Sequence, residues 1–207
     1  MYEQNLELLR LTRAATLRLC AGVGQTQSEF VPGEGKWSIG EVLDHLLLAE
    51  RFHRGMFVRL IDLQKSGQRP VINLGFRELN TSIAHLPKEM MPMLDVPFTI
   101  FNMFVPKVVR ETMTQFRVLS AQSGDIGIPR KGKPVHELRD ALAASYEDTA
   151  AVFRENPNLD YRELRYSHPL LGDNDVRESL RIVAMHERRH QSQIQDILQS
   201  RQFSKVA

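Results

Sequence analysis

The chain has 207 residues, of which 25% are charged and 42% hydrophobic, and its formal net charge is +2 at neutral pH. This length predicts one domain, spanning residues 1–207, and the near-neutral charge excludes the dense basic surface that nucleic-acid binding requires. A single cysteine, Cys20, excludes an internal disulfide and fits a reducing compartment. Acidic residues stand where a signal peptide would carry positive charge, so we expect a cytoplasmic protein.

The first predicted helix runs from Tyr2 to about Ala21, because apolar residues recur there at spacings of three and four. We expect Cys20, near its end, to be a buried packing residue rather than a reactive thiol. The residues expected on its buried face are Leu8, Leu11, Ala15 and Leu19. A glycine- and proline-rich segment as far as Trp37 is predicted to be a loop.

The second helix is predicted to start after Ser38, because Ser38 and Glu41 form a capping-box pattern, and to end near Ser66. The residues predicted on its apolar face are Val42, His45, Ala49, Phe52, Met56 and Leu60. His45 therefore lies within an otherwise apolar stripe. His53 lies nearer the edge of the same face and is a reserve candidate for a site.

Residues 67–133 are predicted to be an irregular and partly helical insertion that connects the second and third main helices. Its apolar, methionine-rich part over residues 90–105 contains Pro92 and Pro97, which argue against a membrane-spanning helix. We expect this part to fold over one end of the bundle, and a dimer interface or a membrane-surface contact is the alternative. The helices expected within the insertion span residues 77–83 and 106–122.

The third main helix is predicted from Pro134 to about Glu155, and the fourth ends near Ser200. Residues 173–175 supply acidic candidates for the cap of the fourth helix. No segment has the alternation of a strand, so we predict an all-α fold, an up-and-down four-helix bundle with one long crossover. That crossover lets the second and fourth helices approach each other.

His186 and His190 lie one helical turn apart in the sequence HERRH on the fourth helix. Because Val183 and Ile194 share their stripe, both imidazoles are predicted to face inward. Paired buried imidazoles need compensation, which a divalent cation commonly provides. Together with His45 they predict a three-histidine metal site, and the alternative is a group of hydrogen-bonded core histidines.

The same five residues fit the HExxH helix of zinc proteases, in which the glutamate is the general base. A protease of that kind needs a third ligand after the motif, but the 17 residues that follow His190 contain no His and no Glu. Their one carboxylate, Asp196, would point to a different side of the helix. A zinc protease is therefore the disfavoured alternative.

The chain resembles the DinB-like superfamily of metal-binding four-helix bundles in several short motifs outside residues 67–133. The motifs are Trp37-Ser38 with Glu41, His45-Leu46 with Glu50, His168-Pro169-x-x-Gly172, and HERRH with Gln193-Ile194. This resemblance implies a divalent metal, zinc favoured over nickel, held by His45, His186 and His190. It leaves a fourth coordination position for water or thiolate.

The resemblance also implies a function: a metal-dependent hydrolase, or a transferase that uses a low-molecular-weight thiol such as bacillithiol or mycothiol. In both cases the substrate is a small molecule, and a homodimer is implied. Glu187, beside the ligand stripe, is a candidate catalytic residue, and Gln193 is a candidate to orient His190. A non-catalytic binding module, in which the metal only fastens two helices together, is the alternative.

Overall fold

The computed structural model describes residues 2–75, 127–168 and 172–206, and its main feature is a set of four long helices. The helices are α1 (Tyr2–Leu19), α2 (Gln25–Ser28), α3 (Ile39–Lys65), α4 (Val135–Arg154) and α5 (Val176–Leu198), with a final 3-10 turn at Phe203–Lys205. The four long helices match their predicted bounds to within two residues, which confirms the all-α class. The predicted helices at 77–83 and 106–122 and the apolar part at 90–105 lie outside the described residues.

Two capping boxes set the starts of α3 and α5. Ser38 Oγ accepts a hydrogen bond from the backbone N–H of Glu41 at 3.2 Å, and a carboxylate oxygen of Glu41 accepts one from the N–H of Ser38 at 2.9 Å. Asp175 and Glu178 make the same reciprocal pair at 2.9 and 3.0 Å. Each box satisfies backbone donors that the first helical turn leaves without partners, so both predicted starts are confirmed.

A small three-stranded sheet joins the end of α3 to the start of α5, so the prediction that no segment forms a strand was wrong. Its strands are β1 (Val71–Asn73), β2 (Arg165–His168) and β3 (Gly172–Asp175). Strand β2 pairs in parallel with β1 and antiparallel with β3. Strands of three or four residues are too short to show an alternating pattern, and the β1 to β2 ladder depends on a partner remote in the sequence.

The core consists of two apolar clusters at opposite ends of the bundle. The first includes Leu9, Phe57, Leu60, Phe153, Tyr166 and Leu180. The second includes Cys20, Leu43, Leu46, Leu142, Ile194 and Ile197. The start of α3 thus shares a cluster with the end of α5, and the two helices run antiparallel. None of the described helices is both long and apolar enough to cross a membrane.

The buried face of α1 differs from the prediction. Leu11, expected inside, is 50% exposed, and the buried residues of this helix are Leu9, Thr12, Arg13 and Thr16, followed by Cys20 just beyond its end. The burial of Cys20 is as predicted. The apolar periodicity placed this face about one residue away from its observed position. It treats arginine as a surface residue, but Arg13 is buried and paired with carboxylates on other helices.

Candidate metal centre

Helices α3 and α5 bring the three predicted histidines together. The Nε2 atom of His186 lies 3.2 Å from Nε2 of His45 and 3.1 Å from Nε2 of His190. One ligand atom from each residue falls within 4.8 Å of the other two, so the group could hold a metal ion. Since α3 and α5 are antiparallel, residues far apart in the sequence meet at this level of the bundle.

The spacing of these nitrogens suits a tetrahedral cation. Zinc binds imidazole nitrogen at about 2.0–2.1 Å, and two ligands at the tetrahedral angle are then about 3.3 Å apart. The two contacts of His186, at 3.1 and 3.2 Å, are close to that separation. Three imidazoles are also a donor set that zinc and nickel both accept.

Hydrogen bonds at the opposite ring nitrogens determine which atoms can bind a cation. His45 Nδ1 lies 2.6 Å from the carbonyl oxygen of Gly127, and because a carbonyl only accepts, Nδ1 carries the proton and Nε2 the lone pair. His190 Nδ1 donates to Gln193 Oε1 at 2.9 Å in the same way. Gln193 therefore orients His190, as predicted.

The number of protons on the His186 ring also favours a cation at this site. A neutral imidazole has one N–H, so His186 Nε2 can donate a hydrogen bond to His45 or to His190 but not to both. In at least one of the two close nitrogen contacts, two lone pairs then point towards each other and repel. A cation between the three atoms removes that repulsion.

Burial keeps these imidazoles in the form that binds metal. The pKa of His45 is lowered chiefly by burial. The pKa of His186 is lowered well below its ordinary value by burial first, then by the neighbouring His190 and His45. Neutral imidazole is the ligating form, so both residues are ready to bind a cation at neutral pH.

Trp37 packs against two of the three histidines. Its ring centroid is 4.7 Å from that of His45 and 6.1 Å from that of His190, with the latter two rings nearly parallel at 17°. Trp37 is the single tryptophan of the chain. Its indole fluorescence is therefore a reporter placed at the candidate site.

His53, the reserve candidate, lies outside the group of three. Its Nδ1 atom is 2.5 Å from the hydroxyl oxygen of Tyr166, which lies in β2. Burial lowers the pKa of His53 to about 4 and that of His168 to about 3, the second with a smaller contribution from His53. His53 thus belongs to the contact between α3 and the sheet.

Glu187, the predicted catalytic candidate, is buried and bonded towards α1. Its Oε1 atom accepts from Arg13 Nε at 2.9 Å and from Thr16 Oγ1 at 2.6 Å, and Oε2 accepts from Arg13 Nη2 at 3.0 Å. Its catalytic role stays a prediction. The sequence interpretation missed Arg13 and Thr16, although both fall at helical spacing on the stripe of Leu9 and Cys20.

The sequence interpretation also missed how the segment after residue 126 is attached to the site. Asp44, next to His45 and fully buried, accepts the backbone N–H of Arg130 at 2.8 Å and Lys133 Nζ at 2.6 Å. This clamp fixes the segment that carries Gly127. No pattern of spacing links Asp44 to partners so far along the chain.

A helical bundle that brings three imidazoles together from two antiparallel helices defines a protein that could hold a divalent metal. The family model of the DinB superfamily matches residues 8–194, which include all three histidines. The chain belongs to the DinB superfamily, as the sequence motifs indicated. No curated protein and no solved structure matches it.

Proposed function

We propose that the protein is a metal-dependent enzyme that holds zinc, or alternatively nickel, through Nε2 of His45, His186 and His190. The observation that carries this proposal is the convergence of the three Nε2 atoms at 3.1 and 3.2 Å, with two of the rings oriented by hydrogen bonds at Nδ1. When bound, the cation would supply a Lewis acid for water or a small thiol in its remaining coordination position.

The residues around the ligands support this role. Gly127 and Gln193 hold the rings of His45 and His190 in their ligating orientation, and the indole of Trp37 packs against the His45 ring. A metal held by these three histidines could serve two reactions. One is hydrolysis of a small-molecule substrate, and the other is attack on such a substrate by a low-molecular-weight thiol. The third imidazole comes from α3, upstream of the HERRH motif. Because a zinc protease takes its third ligand from after the motif, this arrangement favours the hydrolase and the transferase over a protease.

The metal assignment is tested by metal content and affinity. After chelation and dialysis, wild-type protein is titrated with Zn²⁺ and with Co²⁺ while Trp37 fluorescence and bound metal are measured. We expect one ion for each chain. His45→Ala should lose binding, and His136→Ala, which alters an exposed histidine, should retain it. Undiminished binding in His45→Ala would overturn the three-histidine assignment.

The reaction is tested on the metal-loaded protein with a panel of esters, amides and electrophilic substrates, each with and without added thiol. Turnover without thiol identifies a hydrolase, and turnover only with thiol identifies a transferase. Both activities should disappear in His45→Ala. A protein that binds metal fully but turns over none of these substrates would support the non-catalytic module.

Two further parts of the proposal concern assembly and location. We expect a homodimer in the cytoplasm, as the family resemblance and the composition suggest. Light scattering after gel filtration distinguishes a dimer from a 23.8 kDa monomer. A single monomeric peak over the micromolar range would contradict the dimer.

A further inference from the structure

A cluster of buried polar side chains lies between the two apolar clusters and involves all four long helices. Its members, the buried ionic layer, are Arg13 and Thr16 of α1, Glu50 of α3, Thr149 of α4 and Glu187 of α5. All five side chains are almost inaccessible to solvent. The layer is therefore part of the protein interior and not an edge of the surface.

Arg13 is the centre of this layer. Its Nη2 atom donates to Glu50 Oε2 at 2.6 Å, its Nε to Glu187 Oε1 at 2.9 Å, and its Nη1 to the carbonyl oxygen of Leu142. Thr149 Oγ1 donates to the other oxygen of Glu50 at 2.7 Å. One guanidinium thus connects α1 to each of the other long helices.

The five side chains of the layer have a formal charge of −1, because they include two carboxylates and one guanidinium. Arg54, which donates to Thr149 Oγ1 at 3.4 Å, is itself paired with Asp148 at 3.3 Å. Burying ionised groups costs several kcal/mol for each ion, and apolar replacements of similar volume are often as stable. Stability alone is therefore a weak reason for such a layer in a bundle that already has two apolar clusters. Its position beside the histidines offers a functional reason.

The layer is attached directly to the two helices that carry the ligands. Glu187 follows His186 in α5, and Glu50 lies five residues after His45 in α3. Gln191, which follows His190, donates to Thr16 Oγ1 at 2.9 Å. These bonds resist rotation of α5, which would turn its histidines by 100° for each residue of slip.

We propose that the buried ionic layer is a positioning and electrostatic element of the metal centre. It holds α3 and α5 at the separation that the three histidines need, and its excess negative charge raises the affinity for a dication. The second effect matters because three neutral imidazoles leave the charge of the cation uncompensated. This inference rests on the proposed function, since it requires the histidines to bind a metal.

Glu50→Gln is the variant that tests the charge. It removes one negative charge at nearly the same volume: the amide oxygen can still accept from Arg13, and the amide N–H can donate to the Thr149 hydroxyl. With Zn²⁺ and Co²⁺ as probes and Trp37 fluorescence in competition with a chelator as readout, we expect the Kd to rise about tenfold or more, as for other groups that support metal ligands. Glu50→Asp, which keeps the charge, should restore most of the affinity, which a purely structural role does not predict.

Glu7→Gln is the matched control, because it makes the same charge change in an exposed Arg–Glu pair of α1. Its Kd should stay within twofold of the wild type. Glu187→Gln makes the same charge change from α5 and serves as the second variant if Glu50→Gln does not fold. It should weaken metal binding in the same way.

The outcomes separate this inference from the proposed function. Wild-type affinity in a folded Glu50→Gln or Glu187→Gln protein, with binding lost in His45→Ala, overturns the inference and leaves the metal assignment intact. Equal weakening in Glu50→Gln and Glu50→Asp also overturns the electrostatic role. Undiminished binding in His45→Ala overturns the proposed function itself.

Discussion

His45 donates a hydrogen bond from Nδ1 to the carbonyl oxygen of Gly127 over 2.6 Å, although 82 positions separate the two residues. The bond exposes the Nε2 lone pair of His45 to the other two histidines. A ligand of α3 is thus oriented by backbone from the segment that leads into α4. The quality of the site depends on how firmly that segment is held.

Asp44→Ala should release this segment. The change removes the acceptor of the Arg130 backbone N–H and of Lys133 Nζ, and losing a buried charged partner costs about 1–3 kcal/mol. We expect amide hydrogen exchange over residues 127–133 to accelerate about tenfold or more. Asp62→Ala, at an exposed position of the same helix, is the control. Unchanged exchange would show that Asp44 does not hold the segment.

Gln193→Ala should weaken metal binding without unfolding the protein. The change removes the 2.9 Å hydrogen bond that orients His190, and losing such a partner typically costs 10–100-fold in metal affinity. The measurement is the Kd for Zn²⁺ in competition with a chelator. Gln195→Ala, an exposed glutamine two residues further along α5, should bind as the wild type does. Equal Kd values for both variants would contradict the orienting role.

Acid should destabilise the metal-free protein partly through His53. Its folded pKa of about 4 lies below the ordinary histidine value of 6.5, so the unfolded chain binds more protons between these values. The contribution of neutral His53 to the stability of the folded protein is complete above pH 6.5 and is lost as the pH falls towards 4. His53→Gln should therefore lose less stability between pH 7.5 and 4.5, measured by urea unfolding. The exposed substitution His136→Gln should leave the wild-type pH dependence, and a His53→Gln slope equal to wild type would refute the assignment.

Phe153→Ala should destabilise the first apolar cluster. Phe153 is fully buried, stacks on Tyr2 at 5.0 Å and contacts Tyr161 at the same centroid distance. Its loss leaves a cavity, and truncations of this kind cost about 3–5 kcal/mol. Leu11→Ala, at a half-exposed position of α1, should change the free energy of unfolding by less than about 0.5 kcal/mol. Urea denaturation of both variants checks the difference.

Much of the fold followed from local patterns. The capping box at Ser38 and the three-and-four spacing of apolar residues located α3 and α4, because caps and amphipathic faces are properties of neighbouring residues. The short strands did not follow, since three or four residues are too few to show an alternating pattern and β1 pairs with β2 from far along the chain. The buried face of α1 also escaped the pattern, because its central residue is the charged Arg13.

The amino-acid sequence by itself determined the four long helices, the pair His186 and His190 on one face of the last helix, and His45 within an apolar stripe. Only the tertiary structure decided that the three Nε2 atoms converge, that Gly127 orients His45, and that Glu187 is bonded to Arg13. The physical reason is the difference in sequence range between the two kinds of interaction. Helical periodicity depends on residues three or four positions apart, whereas ligand geometry and the pairing of buried charges depend on contacts between helices that the sequence pattern does not record.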